Sequence, residues 1–300
     1  MNKNIDGKKI SEILLKELNN YLKTKDKVPN IVSIRIGNNE ASKIYSNMIK
    51  KILSKETTIK YEDINFDNIS YQELKKYIEK LNNDKEITGI ILELPLPNYL
   101  KEYERDLIDT IDKNKDIEGV TSINAGLLNT SNDCLIPCTA LGIETLLKVY
   151  DIPLKGNRIA ILNRSNIIGK PLANILLRNN ATPIICHSKT NNLEEITSNC
   201  NIVIVALNKQ EYITSSYIKE GAIVIDAGVH KNELGQIVGD VNYQDVINKV
   251  SFITPPTASI GPMTITMLAY NSLKALYGTE INTLLDNAIA KAKMTIKTNN

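Results

Sequence analysis

The chain has 300 residues, of which 42% are hydrophobic and 23% are charged, and this composition is typical of globular domains. The length predicts two domains, and the net charge of +2 predicts neither a nucleic-acid partner nor binding to an anionic membrane. No apolar run approaches the roughly 20 residues of a membrane span, and the first residues lack the apolar core of a signal peptide, so a cytoplasmic protein is expected.

Helical and strand-like segments alternate along nearly the whole sequence, which predicts an α/β fold with mostly parallel sheets. Strands are predicted at 31–36, 57–64, 89–94, 158–162, 182–186, 202–207, 222–226 and 251–254. Helices are predicted around Ile10 to Tyr21 and at 41–54, 71–81, 140–150, 169–177 and 263–276. Residues 112–124 have little periodicity and are expected to form a loop, and the residues after Lys291 are expected to fray.

These elements predict a division of the chain into three parts. Residues 1–138 form a first α/β domain and residues 139–262 form a Rossmann-like nucleotide domain. Residues 263–300 form a helical segment that returns to pack on the first domain. The four cysteines and two histidines show no metal-ligand spacing, so we expect free thiols and no metal site.

The segment 157–190 reads as a strand, a turn that opens a helix, and a second strand. The turn Asn163, Arg164, Ser165 precedes a helix start, whose free N–H groups and dipole attract phosphate. Ser188 and Lys189 follow the second strand, where a ribose or its 2′-phosphate is usually bound. With Arg164 they favour NADP over NAD.

Two features of this region need separate treatment. The pattern Gly-x-Gly-x-x-Gly is absent, and Asn163 stands where a glycine would be most comfortable. Asn tolerates left-handed backbone angles better than most residues, so the turn is still expected to form. Val229 lies in a turn after the predicted strand 222–226, and the backbone of this turn is expected to approach the nicotinamide.

Motif blocks spread along the chain carry a family resemblance. They lie at residues 37–45, 94–97, 115–119, 124–126, 137–139, 186–190, 221–226, 239–241 and 261–264. In this order the chain resembles the methylenetetrahydrofolate dehydrogenase/cyclohydrolase family over nearly its whole length. The resemblance implies a two-domain homodimer that uses NADP to oxidise 5,10-methylenetetrahydrofolate and then hydrolyses the methenyl product to 10-formyltetrahydrofolate. It therefore implies tetrahydrofolate derivatives as substrates.

The catalytic pair of the family is only half present. In the family a Tyr is followed four residues later by a Lys, on one helix face. Here the Tyr is Tyr45 and the Lys position is Ile49. Lys50 and Lys51 are near in sequence, but each residue rotates about 100° around a helix, so both should point elsewhere.

Other residues on the folate side also depart from the family pattern. The Gln of the family before Leu-Pro-Leu-Pro is Glu93, and its pterin-binding Asp is Glu118. Its glycine-rich loop contains Ala258 and Ser259 here, which should make the loop bulkier. The resemblance makes Tyr45, Glu93 and Glu118 the candidate catalytic and substrate-binding residues. Gly261 and Pro262 join them as substrate-binding residues, in a tight turn before the helix predicted at 263–276.

The lost lysine separates the two half-reactions. Hydride transfer mainly needs placement of two reactants, whereas hydrolysis also needs water activation and proton transfer. Isoleucine cannot exchange protons, so hydrolysis should be weak or lost. Glu93 could replace the lysine as a proton carrier with a raised pKa, or Glu118 could bind the pterin while Glu93 is only a solvated polar residue. Two alternative functions stay open: an NADP-dependent oxidoreductase with a different small substrate, and an inactive cofactor-binding paralogue.

Overall fold

The computed structural model describes residues 3–130, 133–257 and 260–298, and their contacts divide the chain into two units. The three-stranded unit comprises Leu14–Cys138 and Ile265–Ala288. The five-stranded unit comprises the segment that ends at Ile13, Thr139–Thr264, and the segment that begins at Ile289. Strands pair in parallel in both sheets, which confirms the predicted α/β fold.

The contact units and the predicted domains differ at their ends. The boundary predicted at 138 coincides with a unit boundary, but the segment that ends at Ile13 and the one that begins at Ile289 are counted with the five-stranded unit. Residues 265–288 are counted with the three-stranded unit. The predicted domains 1–138, 139–262 and 263–300 stay a prediction.

The first half of the chain builds the three-stranded sheet, in the order β2-β1-β3. Its elements are α1 (Gly7–Leu22), β1 (Asn30–Ile36), α2 (Glu40–Glu56), β2 (Lys60–Phe66), α3 (Tyr71–Asn83), β3 (Gly89–Leu92), a 3₁₀ helix (Asn98–Tyr103), α4 (Glu104–Thr110) and α5 (Ser122–Thr130). The Asn39 side chain accepts a hydrogen bond from the Ser42 N–H at 3.1 Å and so caps α2. Strand β2 begins at Lys60 rather than at 57, and Thr57 instead caps the end of α2, where its N–H donates to the Leu53 carbonyl oxygen.

The second half builds the five-stranded sheet, in the order β10-β7-β6-β4-β5. Its elements are α6 (Cys138–Val149), β4 (Arg158–Leu162), α7 (Gly169–Arg178), β5 (Thr182–Cys186), α8 (Leu193–Ser198), β6 (Ile202–Val205), a 3₁₀ helix (Ser215–Tyr217), β7 (Ile223–Asp226), β8 (His230–Lys231), β9 (Ile237–Val238), α9 (Tyr243–Val246), β10 (Phe252–Ile253), α10 (Ile260–Tyr277) and α11 (Glu280–Lys297). All four residues of β6 are buried, as expected for a parallel strand covered on both faces.

The order of this sheet determines where a ligand can lie. The chain enters at β4, continues to β5 on one side and then crosses to β6 on the other. The loops that follow β4 and β6 therefore leave in opposite directions and open a crevice at the carboxyl ends of the strands. In open parallel sheets, ligands bind at this switch point.

The C-terminal end of the chain corrects two predictions. Residues 292–297 do not form the expected frayed tail, because α11 continues to Lys297. Its Ile281, Leu285, Ala288 and Ala292 recur at helical spacing and are buried. Helix α10 begins at Ile260, so Gly261 and Pro262 lie in its first turn rather than in a turn before it.

Within 3–130, 133–257 and 260–298, no helix is both long and apolar enough to cross a membrane.

Candidate functional site

Helix α2 places Tyr45 and Ile49 on neighbouring turns of one face. Ile49 is completely buried, Tyr45 is half-buried, and both Lys50 and Lys51 are exposed. The prediction that these lysines point away from the Ile49 position is therefore confirmed. An apolar side chain fills the inner face of the helix one turn after Tyr45.

Glu93 directly follows β3 and is 7% exposed. Its N–H donates to the Ile34 carbonyl oxygen at 3.0 Å, which fixes the residue against β1. Its Oε1 accepts a hydrogen bond from Ser33 Oγ at 3.3 Å. Burial raises the pKa of Glu93 to about 7, although the Ser33 hydroxyl opposes the shift.

Arg35 is the cation that acts on Glu93, but it is already paired. Its Nε and one terminal nitrogen each donate to the Asp63 carboxylate at 2.8 Å. The negative charge of Asp63 raises the pKa of Glu93, whereas the positive charge of Arg35 lowers it. The two effects partly cancel. The ion pair therefore leaves Glu93 without a cation of its own.

The loop that carries Glu118 is built around the buried carboxylate of Asp116. One carboxylate oxygen accepts the N–H of Val120 at 3.0 Å. The other accepts the N–H of Thr121 and the side-chain amide of Asn124, both at 2.8 Å. These bonds fix the backbone on both sides of Glu118.

Two further contacts hold the same loop. Gly119 has φ +69°, and a Cβ there would lie 2.5 Å from the carbonyl carbon of Ile136, so only glycine fits. The side-chain amide of Asn271, on α10, donates to the carbonyl oxygens of Ile117 at 2.7 Å and Ile136 at 2.9 Å. The sequence analysis missed Asp116 and Asn271, because both act through backbone atoms of other segments.

Tyr45, Glu93 and Glu118 lie close enough for their charges to interact, and we call them the carboxylate site. Burial, followed by the charges of Glu93 and Asp116, raises the pKa of Glu118 well above its usual range. Burial and then the charge of Glu118 raise the pKa of Tyr45 in the same way. Within the described residues, no donor makes a hydrogen bond to the Glu118 carboxylate. The structure thus brings the three predicted residues together.

In the five-stranded unit, the Asn163 side chain organises the loop after β4. Its Oδ1 accepts hydrogen bonds from the N–H and Oγ of Ser165 at 2.8 and 2.7 Å, and from the Gly169 N–H at 3.0 Å. Its Nδ2 donates to the Ala206 carbonyl oxygen at 2.8 Å, across the switch point. Asn163 does not have a positive φ, so the expected left-handed backbone was wrong. The side chain, not the backbone, explains why Asn serves here.

The start of α7 packs so closely against the β4 loop that it leaves no room for a side chain at Gly169. A Cβ on Gly169 would lie 2.1 Å from the Asn163 carbonyl oxygen. The helix start is therefore held close to the β4 loop. The free N–H groups expected there are already used, because Gly169 donates to Asn163 Oδ1 at 3.0 Å and Lys170 to the Ser165 carbonyl oxygen at 3.1 Å, and Pro171 has no N–H. What this helix start offers an anion is its positive dipole end. Arg164, Ser188 and Lys189 are exposed, and the Arg164 guanidinium makes no hydrogen bond within the described part of the chain. These residues fit a phosphorylated dinucleotide.

Asp240 holds the loop that follows β6. Its fully buried carboxylate accepts the N–H groups of Leu207, Asn208 and Lys209 at 2.6, 3.1 and 2.7 Å. His230 Nε2 lies 2.7 Å from the same carboxylate. The sequence analysis assigned no role to the His230 side chain, and this contact ties it to the β6 loop.

Asp226 holds the loop that follows β7. It accepts the N–H of Gly228 at 2.8 Å and the N–H of Val241 at 2.9 Å. Burial raises its pKa to about 6, although these backbone bonds oppose the shift. Val229, at the tip of this loop, is 64% exposed. Two buried carboxylates thus shape the loops at the carboxyl ends of β6 and β7.

The sheet order, the switch point and these loops define a dinucleotide-binding α/β protein. Residues 137–279 match the model of the tetrahydrofolate dehydrogenase/cyclohydrolase NAD(P)-binding domain. Residues 5–118 match the model of the catalytic domain of the same family. The chain therefore belongs to the tetrahydrofolate dehydrogenase/cyclohydrolase family, and the resemblance seen in the sequence is confirmed.

Relatives and solved structures agree with this assignment. The chain is 43% identical over 277 residues to the bifunctional protein FolD of Clostridium novyi (strain NT), covering 91% of this chain and 98% of that protein. The structure of the Campylobacter jejuni bifunctional enzyme FolD has a TM-score of 0.85 at 39% identity and covers 90% of this chain and 97% of that one. The Trypanosoma brucei methylenetetrahydrofolate dehydrogenase-cyclohydrolase, solved with NADP cofactor and inhibitor, has a TM-score of 0.84 at 26% identity and covers 91% and 96%.

We expect Gly169→Ala to weaken both folding and dinucleotide binding. The new methyl group would meet backbone atoms that cannot move cheaply, which costs about 1–3 kcal/mol. Thermal unfolding and titration with NADP(H) measure the two effects. Gly126→Ala is the matched control, because a Cβ there meets nothing within 4 Å. Equal thermal stability and equal NADP(H) affinity of the two variants would contradict the close contact at Gly169.

The raised pKa of Glu93 predicts a pH-dependent stability. Because the folded-state pKa of about 7 lies above the ordinary value of 4.5, the folded state holds a proton that the unfolded state releases between these pH values. This stabilisation is complete below pH 4.5 and is lost as the pH rises to about 7. Over that pH interval, the free energy of unfolding measured in urea should fall by up to about 3 kcal/mol more for the native chain than for Glu93→Gln. The exposed Glu62→Gln variant serves as control, and equal pH slopes for all three proteins would exclude the effect.

Proposed function

We propose that this protein uses NADP to oxidise 5,10-methylenetetrahydrofolate to 5,10-methenyltetrahydrofolate, and that hydrolysis of the product is weak or lost. Family membership supports the substrate class and the first step. The observation that carries the second part is Ile49, a completely buried apolar residue at the position of the family lysine. The bifunctional relatives named above are described with both activities.

On the cofactor side, NADP supplies the hydride acceptor when it is bound. The start of α7 and the loop that the Asn163 side chain organises would receive the pyrophosphate, with Ser165 beside them. Arg164, Ser188 and Lys189 would bind the ribose 2′-phosphate, since they are exposed and carry two positive charges and a hydroxyl. The loop that contains Val229, fixed through Asp226, would approach the nicotinamide with its backbone.

On the folate side, Glu118 is suited to accept the pterin N–H groups, because no described residue donates to its carboxylate. The Tyr45 phenol can donate to the folate or to a water molecule. Gly261 and Pro262, in the first turn of α10, would contribute backbone at the substrate. The bulkier loop expected at Ala258 and Ser259 lies outside the described residues.

The two steps make different demands on these residues. Hydride removal from the one-carbon bridge moves no proton to or from the protein, so placement and exclusion of water are sufficient. Hydrolysis needs a group that takes a proton from water and one that delivers it to the ring nitrogen, and such a group contributes about 10²–10⁴-fold. Ile49 can do neither. Glu93, whose pKa burial raises to about 7, is the residue that could sustain slow hydrolysis.

Assembly and location are also part of this proposal. We propose a homodimer, from the family pattern, and a cytoplasmic location. Tetrahydrofolate derivatives are the proposed partners.

An assay of both half-reactions tests the proposal. We expect saturable NADP reduction with methylenetetrahydrofolate, and methenyl hydrolysis at least tenfold slower than in a lysine-bearing relative. Ile49→Lys should raise hydrolysis at least tenfold, because it restores a titratable amine, whereas Ile49→Met should not. NADPH formation and methenyl consumption are followed by absorbance.

The outcomes separate the alternatives. Hydrolysis by the native chain as fast as in a lysine-bearing relative would contradict the loss of that step. Binding of NADP without folate turnover would favour an oxidoreductase with a different small substrate, or an inactive cofactor-binding paralogue, and a screen of small substrates would divide these two.

A further inference from the structure

We propose that Glu93 and Glu118 form an anionic cradle that binds the methenyl product, whose one-carbon bridge is cationic, in preference to folates that lack this positive charge. This inference rests on the proposed function and adds a charge selectivity to it. It would make the enzyme favour oxidation electrostatically, through its own side chains.

The arrangement of charges around the carboxylate site supports the proposal. The neighbouring cation, Arg35, is bound to Asp63 by two hydrogen bonds of 2.8 Å. Lys50 and Lys51 of α2 are exposed, and Ile49 presents an apolar surface instead of an ammonium. Within the described residues, no cation forms an ion pair with either glutamate, and the charge of Arg35 is shared with Asp63.

The titratable and polar groups that face the pair come from five parts of the three-stranded unit. They are Ser33 and Arg35 of β1, Tyr45 of α2, Tyr61 and Asp63 of β2, Asp116 of the Glu118 loop, and Cys138 at the start of α6. Burial raises the pKa of Cys138 and, to about 12, that of Tyr61, so neither adds charge near neutral pH. Glu93, whose pKa burial raises to about 7, therefore changes its charge near pH 7.

The reaction generates the matching positive charge. One C–H bond of the carbon between two folate nitrogens breaks, and hydrogen leaves with both electrons for the nicotinamide ring of NADP. The folate is oxidised by two electrons, the cofactor is reduced to NADPH, and no proton is exchanged. The bridge carbon and its two nitrogens are left with one positive charge. Fixed carboxylates near a developing cation stabilise it most in a site with little water.

The selectivity can be measured by binding alone. The full-length protein, saturated with oxidised NADP, is titrated by calorimetry with freshly prepared methenyltetrahydrofolate or with tetrahydrofolate, and neither ligand can donate a hydride to it. At pH 7.5 we expect the methenyl cation to bind about tenfold more tightly, equivalent to ~1.4 kcal/mol. At pH 6 the preference should shrink, because Glu93 gains a proton.

Variants separate charge from packing. Glu93→Gln should reduce the preference at least threefold, Glu93→Asp should keep it, and the exposed Glu62→Gln should leave it unchanged. Ile49→Lys tests the same charge effect independently. The added cation should also reduce the preference for the methenyl ligand, whereas Ile49→Met should not. Thermal unfolding confirms that each variant is folded.

Each outcome decides the inference. Equal affinity of the native chain for both folates, or a preference that survives both Glu93→Gln and Ile49→Lys, would overturn the cradle while leaving the oxidation intact if turnover is observed. Failure of both folates to bind would overturn the cradle and the proposed function together.

Discussion

An ionised carboxylate loses several kcal/mol of hydration when it is buried, and a folded protein offsets this loss with N–H donors, a cation or a proton. Asp240 has three backbone N–H groups and His230. Asp116 has two backbone N–H groups and an amide. Glu93 has one hydroxyl contact at 3.3 Å, and no described donor reaches Glu118. Both glutamates therefore depend on a proton or on a bound ligand.

This difference separates structural carboxylates from chemical ones. Asp116, Asp226 and Asp240 hold loops in place, because each binds backbone atoms from segments that the sheet brings together. Their oxygens are occupied, so they have little capacity left for a substrate. Glu118 sits on a loop that Asp116 and Asn271 hold in place, and Glu93 is fixed to β1 by its own N–H. Apart from the Ser33 contact to Glu93, no described donor occupies the oxygens of the two glutamates. The fold removes water from the glutamate carboxylates without replacing it with hydrogen-bond donors or a cation.

The sequence predicted the β4 and β5 strands to the residue, because each is a short run with clear polar or turn residues at both ends. It missed most of α11, where polar residues outnumber the buried positions near the end. The carboxylate site came from the family resemblance rather than from spacing, since Tyr45, Glu93 and Glu118 lie on three separate segments. The roles of Asn271 and His230 could not be predicted, because their partners are defined only once the chain is folded.

The departures at Ile49, Glu93 and Glu118 act in one electrostatic direction. The resemblance implies Lys, Gln and Asp at these three positions in the family, a set with balanced charge, whereas Ile, Glu and Glu carry two negative charges when both carboxylates are ionised. Because burial raises the pKa of both carboxyl groups, a proton on either of them relieves part of the repulsion between them. A cationic ligand relieves the same repulsion without that proton. In the proposed cradle, Ile49 supplies no cation and Glu93 adds a second carboxylate, so the site would respond to the charge of its ligand.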